Sequence, residues 1–199
     1  MTTPTKSLVF TALTLAFSQA ATITMDTSSF VTDSGGVQIP KGSGVVSLGT
    51  YSSLPSFGGT VNNSDVTVSY LELSSGVFDS PFAFDGFYRF DLDVNIPNSF
   101  NNQEIYVVLG DGSTVENSDN LLVWKPTANP DGNVFVEDNP IGGPGSILLN
   151  NDNGDLLLGS FDSGSNTFAM SSVSAIPEPS SLVLTSLALF TLTGRRSRK

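Results

Sequence analysis

Period-two alternation, cut at short intervals by turn residues, most constrains what this chain can fold into. From Gly86 to Val94, Tyr88, Phe90, Leu92 and Val94 point to one side while Arg89, Asp91 and Asp93 point to the other. That is the pattern of a half-buried antiparallel strand. Val66, Val68 and Tyr70 alternate with Thr67 and Ser69, which predicts another strand. In Ile105–Leu109 the intervening residues, Tyr106 and Val108, are also apolar, so this strand is expected to be covered on both faces. Gly44–Tyr51, Leu121–Lys125, Val134–Glu137, Ser146–Leu149, Asp155–Phe161 and Thr167–Ser171 are further strand candidates. Asp111-Gly112 and Asn153-Gly154 are hairpin-type pairs, and Asn129-Pro130-Asp131-Gly132 and Gly142-Gly143-Pro144-Gly145 are breakers. No stretch between Ala21 and Ala175 keeps a 3.6-residue period over three turns. The expected fold class is all-β: a single β-sandwich or jelly-roll-like domain of about eight to ten short strands.

Both ends depart from this pattern. Pro177-Glu178-Pro179 precedes an uncharged run from Ser180 to Gly194, which ends in Arg195-Arg196-Ser197-Arg198-Lys199. Proline is tolerated in a helix's first turn, so a helix is expected to start near Pro179, with Glu178 beside its positive end. The run is apolar or small on every side, unlike the single stripe of a surface helix. Its length, roughly 22 Å at ~1.5 Å per residue, is short against a hydrocarbon core of ~30 Å. The basic cluster suits a cytoplasmic membrane face, which places the preceding domain outside. At the other end, Lys6 precedes an apolar stretch from Leu8 to Phe17. Ser18 and Ala20 fit the small-residue positions of a signal-peptidase site, with cleavage after Ala20.

The tail resembles the PEP-CTERM sorting signal of Gram-negative bacteria, an element also catalogued as an ice-binding-protein C-terminal domain. Pro177, Glu178 and Pro179 match its motif, 180–194 its transmembrane helix, and Arg195, Arg196, Arg198 and Lys199 its basic end. The resemblance implies recognition by an exosortase, processing at the inner membrane, and delivery to the cell surface or an exopolysaccharide matrix. The middle is similar to the central region of many such proteins through Leu48-Gly49-Thr50-Tyr51, Asn102–Val108 and Trp124-Lys125-Pro126. The expected organisation is a signal peptide (1–20), a β-sandwich domain (21–162), a Ser/Gly-rich spacer (163–175) and the sorting signal (176–199).

Composition narrows the chemistry. Of 19 acidic residues only Glu178 lies in the tail, which leaves 18 against three bases, Lys41, Arg89 and Lys125, in the middle. Such a surface repels nucleic acid, which is therefore not expected as a partner. It also repels anionic lipid and acidic polysaccharide unless divalent cations bridge them. The chain has no cysteine and no histidine. Disulfides, thiolate metal sites, imidazole general bases and Ser-His-Asp triads are thereby excluded.

The remaining candidates are carboxylates and aromatics. Asp131, Glu137, Asp138, Asp152 and Asp155 lie in Asn/Gly-rich stretches and offer the oxygen ligands that calcium prefers. The competing reading makes them ordinary turn residues that cap local backbone groups. The stretch from Thr127 to Asp138 departs from a calcium-binding helix–loop–helix at its first and last ligands. Asp91 and Asp93 share a strand face about 7 Å apart, a spacing open to glycoside hydrolysis but more typical of a solvated face. Phe78, Phe82, Phe84, Phe87 and Phe90 either stack on sugars or fill a core. Thr22 and Thr24 form one pair, short of the Thr array that ice binding needs.

The expectation is an exported, membrane-tethered, exosortase-processed protein with a non-catalytic structural or adhesive domain and no cofactor beyond a calcium option. A calcium-assisted, lectin-like module is the alternative, and a small glycan-active hydrolase the third reading. A solvent-facing aromatic beside an acidic loop favours the lectin-like module, and facing carboxylates in a cleft favour the hydrolase.

Overall fold

A computed structural model describes residues 21–79, 84–94, 96–97, 99–127, 135 and 146–174. In chain order the first strands are β1 (Ala21–Thr27), β2 (Phe30–Thr32) and β3 (Val45–Tyr51), followed by the short helix α1 (Asn63–Thr67). Next come β4 (Tyr70–Gly76), β5 (Arg89–Val94), β6 (Tyr106–Gly110) and β7 (Asn120–Pro126). The last are β8 (Ser146–Leu149), β9 (Gly154–Leu158), β10 (Ser160–Asp162), β11 (Thr167–Ala169) and β12 (Ser171–Ser172). Among the described residues the fold is mostly β, with α1 as its one α-helix.

Three sheets form among the described residues. The first has the order β5-β1-β8, with β5 antiparallel and β8 parallel to β1. The largest runs β12-β7-β6-β3-β4, and β9 pairs with β7 on the side that β12 also uses. The third has the order β10-β11-β2.

Burial follows the alternation. Ile23 and Met25 of β1, Leu92 of β5, and Ile147 and Leu149 of β8 turn inward from the first sheet. They join one core with Val46 and Leu48 of β3, Val107 and Leu109 of β6, and Leu122 and Trp124 of β7. The opposite face of the large sheet carries a second core: Val45, Tyr51, Tyr106, Val108, Leu121 and Val123 pack with Val61, Val66, Val115 and Val173. Strands β3 and β6 are therefore buried on both faces, which the unbroken apolar run at 105–109 predicts for β6. Each fully buried Val, Leu or Ile here contributes about 1.5–3 kcal/mol.

Several local expectations are corrected. Of the strand expected at 66–70, residues 66–69 belong to α1 and its exit, and only Tyr70 falls in a strand, β4. The carboxylate of Asp65 accepts the backbone N–H of Asn62 at 2.9 Å, which ties the first turn together. Val66 is then buried while Val68 is 83% exposed, so the pattern never lines one face. Asp111-Gly112 does not make a two-residue hairpin. Residues 111–119 form a longer loop in which Asp111 accepts the backbone N–H groups of Asp119 and Asn120 at 2.9 and 3.0 Å. Asn153-Gly154 joins strands of different sheets, so it closes no hairpin either. The single strand expected at 155–161 splits at Gly159, whose φ of 114° turns the chain from β9 into β10.

The Ser/Gly-rich stretch from Ser163 to Ala175 is not a detached spacer over its described part. It supplies β11 and β12 and buries Phe168, Met170 and Val173. Ser174 is held beside α1, where its carbonyl accepts the N–H of Asn63 at 3.3 Å. The aromatic stretch also divides. Phe78 is core, Phe90 packs on the core, and Phe87 meets Phe30 edge-on at 4.5 Å. Phe84 is exposed, and Phe82 lies outside the described residues.

Candidate functional site

Three turns from different parts of the chain meet and line an open cleft of about 370 Å³. The β1–β2 turn contributes Ser28, the β8–β9 turn contributes Asn150, Asn151 and Asp152, and β10 with its following turn contributes Phe161, Ser163 and Asn166. Each turn is fixed by its own polar side chains. In the β8–β9 turn, Asn150 Oδ1 accepts the backbone N–H groups of Asp152 and Asn153 at 2.6 and 3.0 Å. After β10, Asp162 Oδ2 accepts the Ser165 hydroxyl at 2.7 Å and Oδ1 accepts the Gly164 N–H at 2.9 Å. These bonds, led by that from Ser165, hold the Asp162 carboxyl below its ordinary range.

Asn166 locks two of the turns together. Its backbone is left-handed, with φ 51°, a conformation that asparagine tolerates better than most residues. Its Oδ1 accepts the Ser29 hydroxyl at 2.9 Å, and its Nδ2 donates to the Ser28 carbonyl at 3.1 Å. The Phe161 ring is half-buried and packs at 4.7 Å from buried Phe168. The result is a mostly polar cleft with one aromatic wall, its turns tied by these hydrogen bonds.

Among the predicted site residues, Asp152 lies in this cleft. Asp155 sits in β9, opposite Lys125 of β7. Asp131, Glu137 and Asp138 lie outside the described residues, as do Ser18, Ala20, Pro177, Glu178, Pro179, Arg195, Arg196, Arg198 and Lys199. Among the described residues no group of three or more Asp or Glu converges as a metal site. Among them also, no helix is long and apolar enough to cross a membrane.

Asp91 and Asp93 lie on the exposed face of β5. Thr24 Oγ1 donates to Asp91 at 2.6 Å and Thr22 Oγ1 donates to Asp93 at 2.7 Å. The two carboxylates therefore stand side by side on an open sheet, each already holding a threonine hydroxyl, and do not face each other across a cleft. The same bonds occupy the hydroxyls of the Thr22 and Thr24 pair.

A second charged cluster clips β6 to β7. Glu104 accepts Lys125 Nζ through Oε1 and the Tyr106 hydroxyl through Oε2, each at 2.6 Å. Lys125 also lies 5.8 Å from the centroid of the Tyr106 ring. The bond from Lys125, then that from Tyr106, holds the Glu104 carboxyl below its ordinary range. A carboxylate with a lowered folded pKa stabilises above its unfolded pKa and loses that contribution as pH falls. Glu104 is 53% exposed in its side chain, so solvent screens the pair and limits the effect to about 1 kcal/mol or less. Glu104→Gln should therefore lower the melting temperature at pH 7 and leave it equal to the parent's near pH 3. Equal melts at both values would remove the clip.

Sequence reasoning reached Asp152 but missed Phe161, Ser163 and Asn166 as partners of one site. The signal was present as two turn-rich runs, Asn150-Asn151-Asp152-Asn153-Gly154 and Asp162-Ser163-Gly164-Ser165-Asn166. That the two runs meet is a tertiary fact. Compared with known proteins, the chain matches no family model, no curated protein and no solved structure.

Proposed function

We propose that this chain is an exported, surface- or matrix-located protein whose β-sandwich domain holds or adheres and does not catalyse. The order of its ends supports the itinerary: a leader with Ser18 and Ala20, then the Pro177-Glu178-Pro179 motif, an apolar run and a basic terminus. On this reading a signal peptidase removes the leader, the tail rests in the inner membrane with its basic end in the cytoplasm, and an exosortase processes it.

One observation carries the non-catalytic part. The acid pair best spaced for glycoside chemistry, Asp91 and Asp93, lies on an open sheet face with both groups bonded to threonines. Fractionation of the host with an epitope inserted before Ile176 tests the itinerary. The expected result is loss of the leader and recovery of the epitope first in the membrane and then outside the cell. Full-length protein retained in the cytoplasm would overturn it.

A second reading, a lectin-like module, is favoured by the cleft that sets Phe161 beside Asp152. Calcium held by Asp152 or Asp155, or by Asp131, Glu137 and Asp138, belongs to this reading.

A further inference from the structure

We infer that the cleft between the β1–β2, β8–β9 and β10–β11 turns binds one neutral sugar ring with adjacent free hydroxyls. The inference rests on the lectin-like reading and names its ligand class and residues.

The polar groups are complementary in a way that suits a diol. Asn150 Oδ1 is occupied by two backbone N–H groups, so its side chain presents only the donors of Nδ2. Asp152, two residues on, presents a carboxylate, which only accepts. A donor beside an acceptor matches two neighbouring hydroxyls, one receiving from the amide and the other giving to the carboxylate. Ser28 and Ser163 line the same cleft. Their hydroxyls both give and accept, as further sugar hydroxyls require.

Phe161 supplies the remaining element. Its ring is anchored on Phe168 at 4.7 Å and still lines the cleft, so the C–H face of a sugar finds a fixed apolar wall. The turns are preorganised by the Asn166, Asn150 and Asp162 bonds, so little ordering cost falls on binding.

Size and charge define the ligand further. About 370 Å³ lies at the small end of ligand pockets, which suits a single sugar ring and not a long chain buried along its length. Among the described residues no Lys or Arg lines the cleft, so a phosphate, sulfate or uronate finds no cationic partner among them. Asp152, in the lining itself, disfavours an anion at the same position. The lining is too polar for a purely apolar ligand.

Saturation-transfer NMR tests this on the full-length chain, in calcium-containing buffer and a detergent without a sugar headgroup. The probes are the methyl glycosides of glucose, galactose and mannose, with glucuronic acid as the anionic comparison. At least one neutral glycoside should show transfer to its ring protons with a Kd in the millimolar range, and glucuronic acid should bind more weakly. Phe161→Ala and Asp152→Ala should each weaken binding about tenfold or more, while Asp93→Asn on the remote sheet face should leave it unchanged. Asp152 is exposed, so its variant keeps the test valid even if Phe161→Ala loosens the core. No transfer from any neutral glycoside up to ~50 mM would overturn the inference, as would undiminished binding by Asp152→Ala. Either failure leaves the fractionation result untouched, so the site and the itinerary stand or fall separately.

Discussion

Alanine at Gly49 should cost the domain about 3 kcal/mol or more, although only one methyl group is added. Gly49 lies in β3, with β6 on one side and β4 on the other, at the register shift after Leu48. A Cβ there would stand 2.3 Å from the Leu71 carbonyl oxygen and 2.8 Å from both Cζ and the hydroxyl of Tyr70. The first contact is with backbone, which cannot rotate away. The second is with a ring whose hydroxyl is hydrogen-bonded to Ser47 Oγ at 2.9 Å, and Ser47 in turn donates to Glu72 at 2.7 Å. Relief at Gly49 therefore opens the β3–β4 ladder or breaks this polar chain. For a domain of this size the loss corresponds to a fall in melting temperature of roughly 6–12 °C. Gly58 is the control: an added Cβ there meets nothing nearer than Ser56 Oγ at 3.9 Å, so Gly58→Ala should be neutral. A Gly49→Ala melt within about 2 °C of the parent would refute the close-approach argument.

The domain should also unfold abruptly in alkali. The chain has four tyrosines, and burial, the leading cause in every case, raises the pKa of each phenol above its ordinary value. Among the described residues the buried hydroxyls of Tyr51 and Tyr88 have no hydrogen-bond partner that would support a phenolate. For Tyr106 the bond to Glu104 adds to the effect, because a carboxylate opposes a second negative charge. For Tyr70 the Ser47 bond works the other way without outweighing burial.

The sign follows directly. The folded state favours the neutral phenol, so its contribution is complete below the unfolded pKa near 10 and is lost as pH rises beyond it. Each silent tyrosine withdraws up to about 1.4 kcal/mol of stability per pH unit in that range. Tyrosinate absorbance should stay flat past pH ~10 and then rise together with loss of β-sheet circular dichroism. A gradual rise near pH ~10 in a still-folded domain would contradict the burial of these rings.

Much of the fold was legible because period two is a local property. Strand β5 sits within the alternation at 86–94, and β3, β6, β7 and β8 sit at the strand candidates 44–51, 105–109, 121–125 and 146–149. Strand β1 is not among the expected strands, although Ile23 and Met25 alternate with exposed Thr22 and half-exposed Thr24. The misreadings also have local causes. A capping carboxylate at Asp65 turned an alternating stretch into helix, and a single positive-φ glycine at 159 divided one apparent strand between two sheets. The run after Ser163 looks like linker by composition. Its sparse apolar residues, Phe168, Met170 and Val173, all face the core, and composition carries no information about facing.

By itself the sequence determined an all-β middle, an excess of acid, and chemistry without thiol or imidazole. These follow from residue identity and from periodicity over a few neighbours. Only the tertiary structure decided which turns meet, because that depends on crossovers between sheets. β8 pairs in parallel with β1, and β11 pairs in parallel with β2, so the two connections deliver residues 150–152 and 161–166 to the β1–β2 turn. Parallel pairing needs long connections whose ends no local signal specifies. For that physical reason the cleft of Asn150, Asp152, Phe161 and Asn166 emerges only from the folded chain.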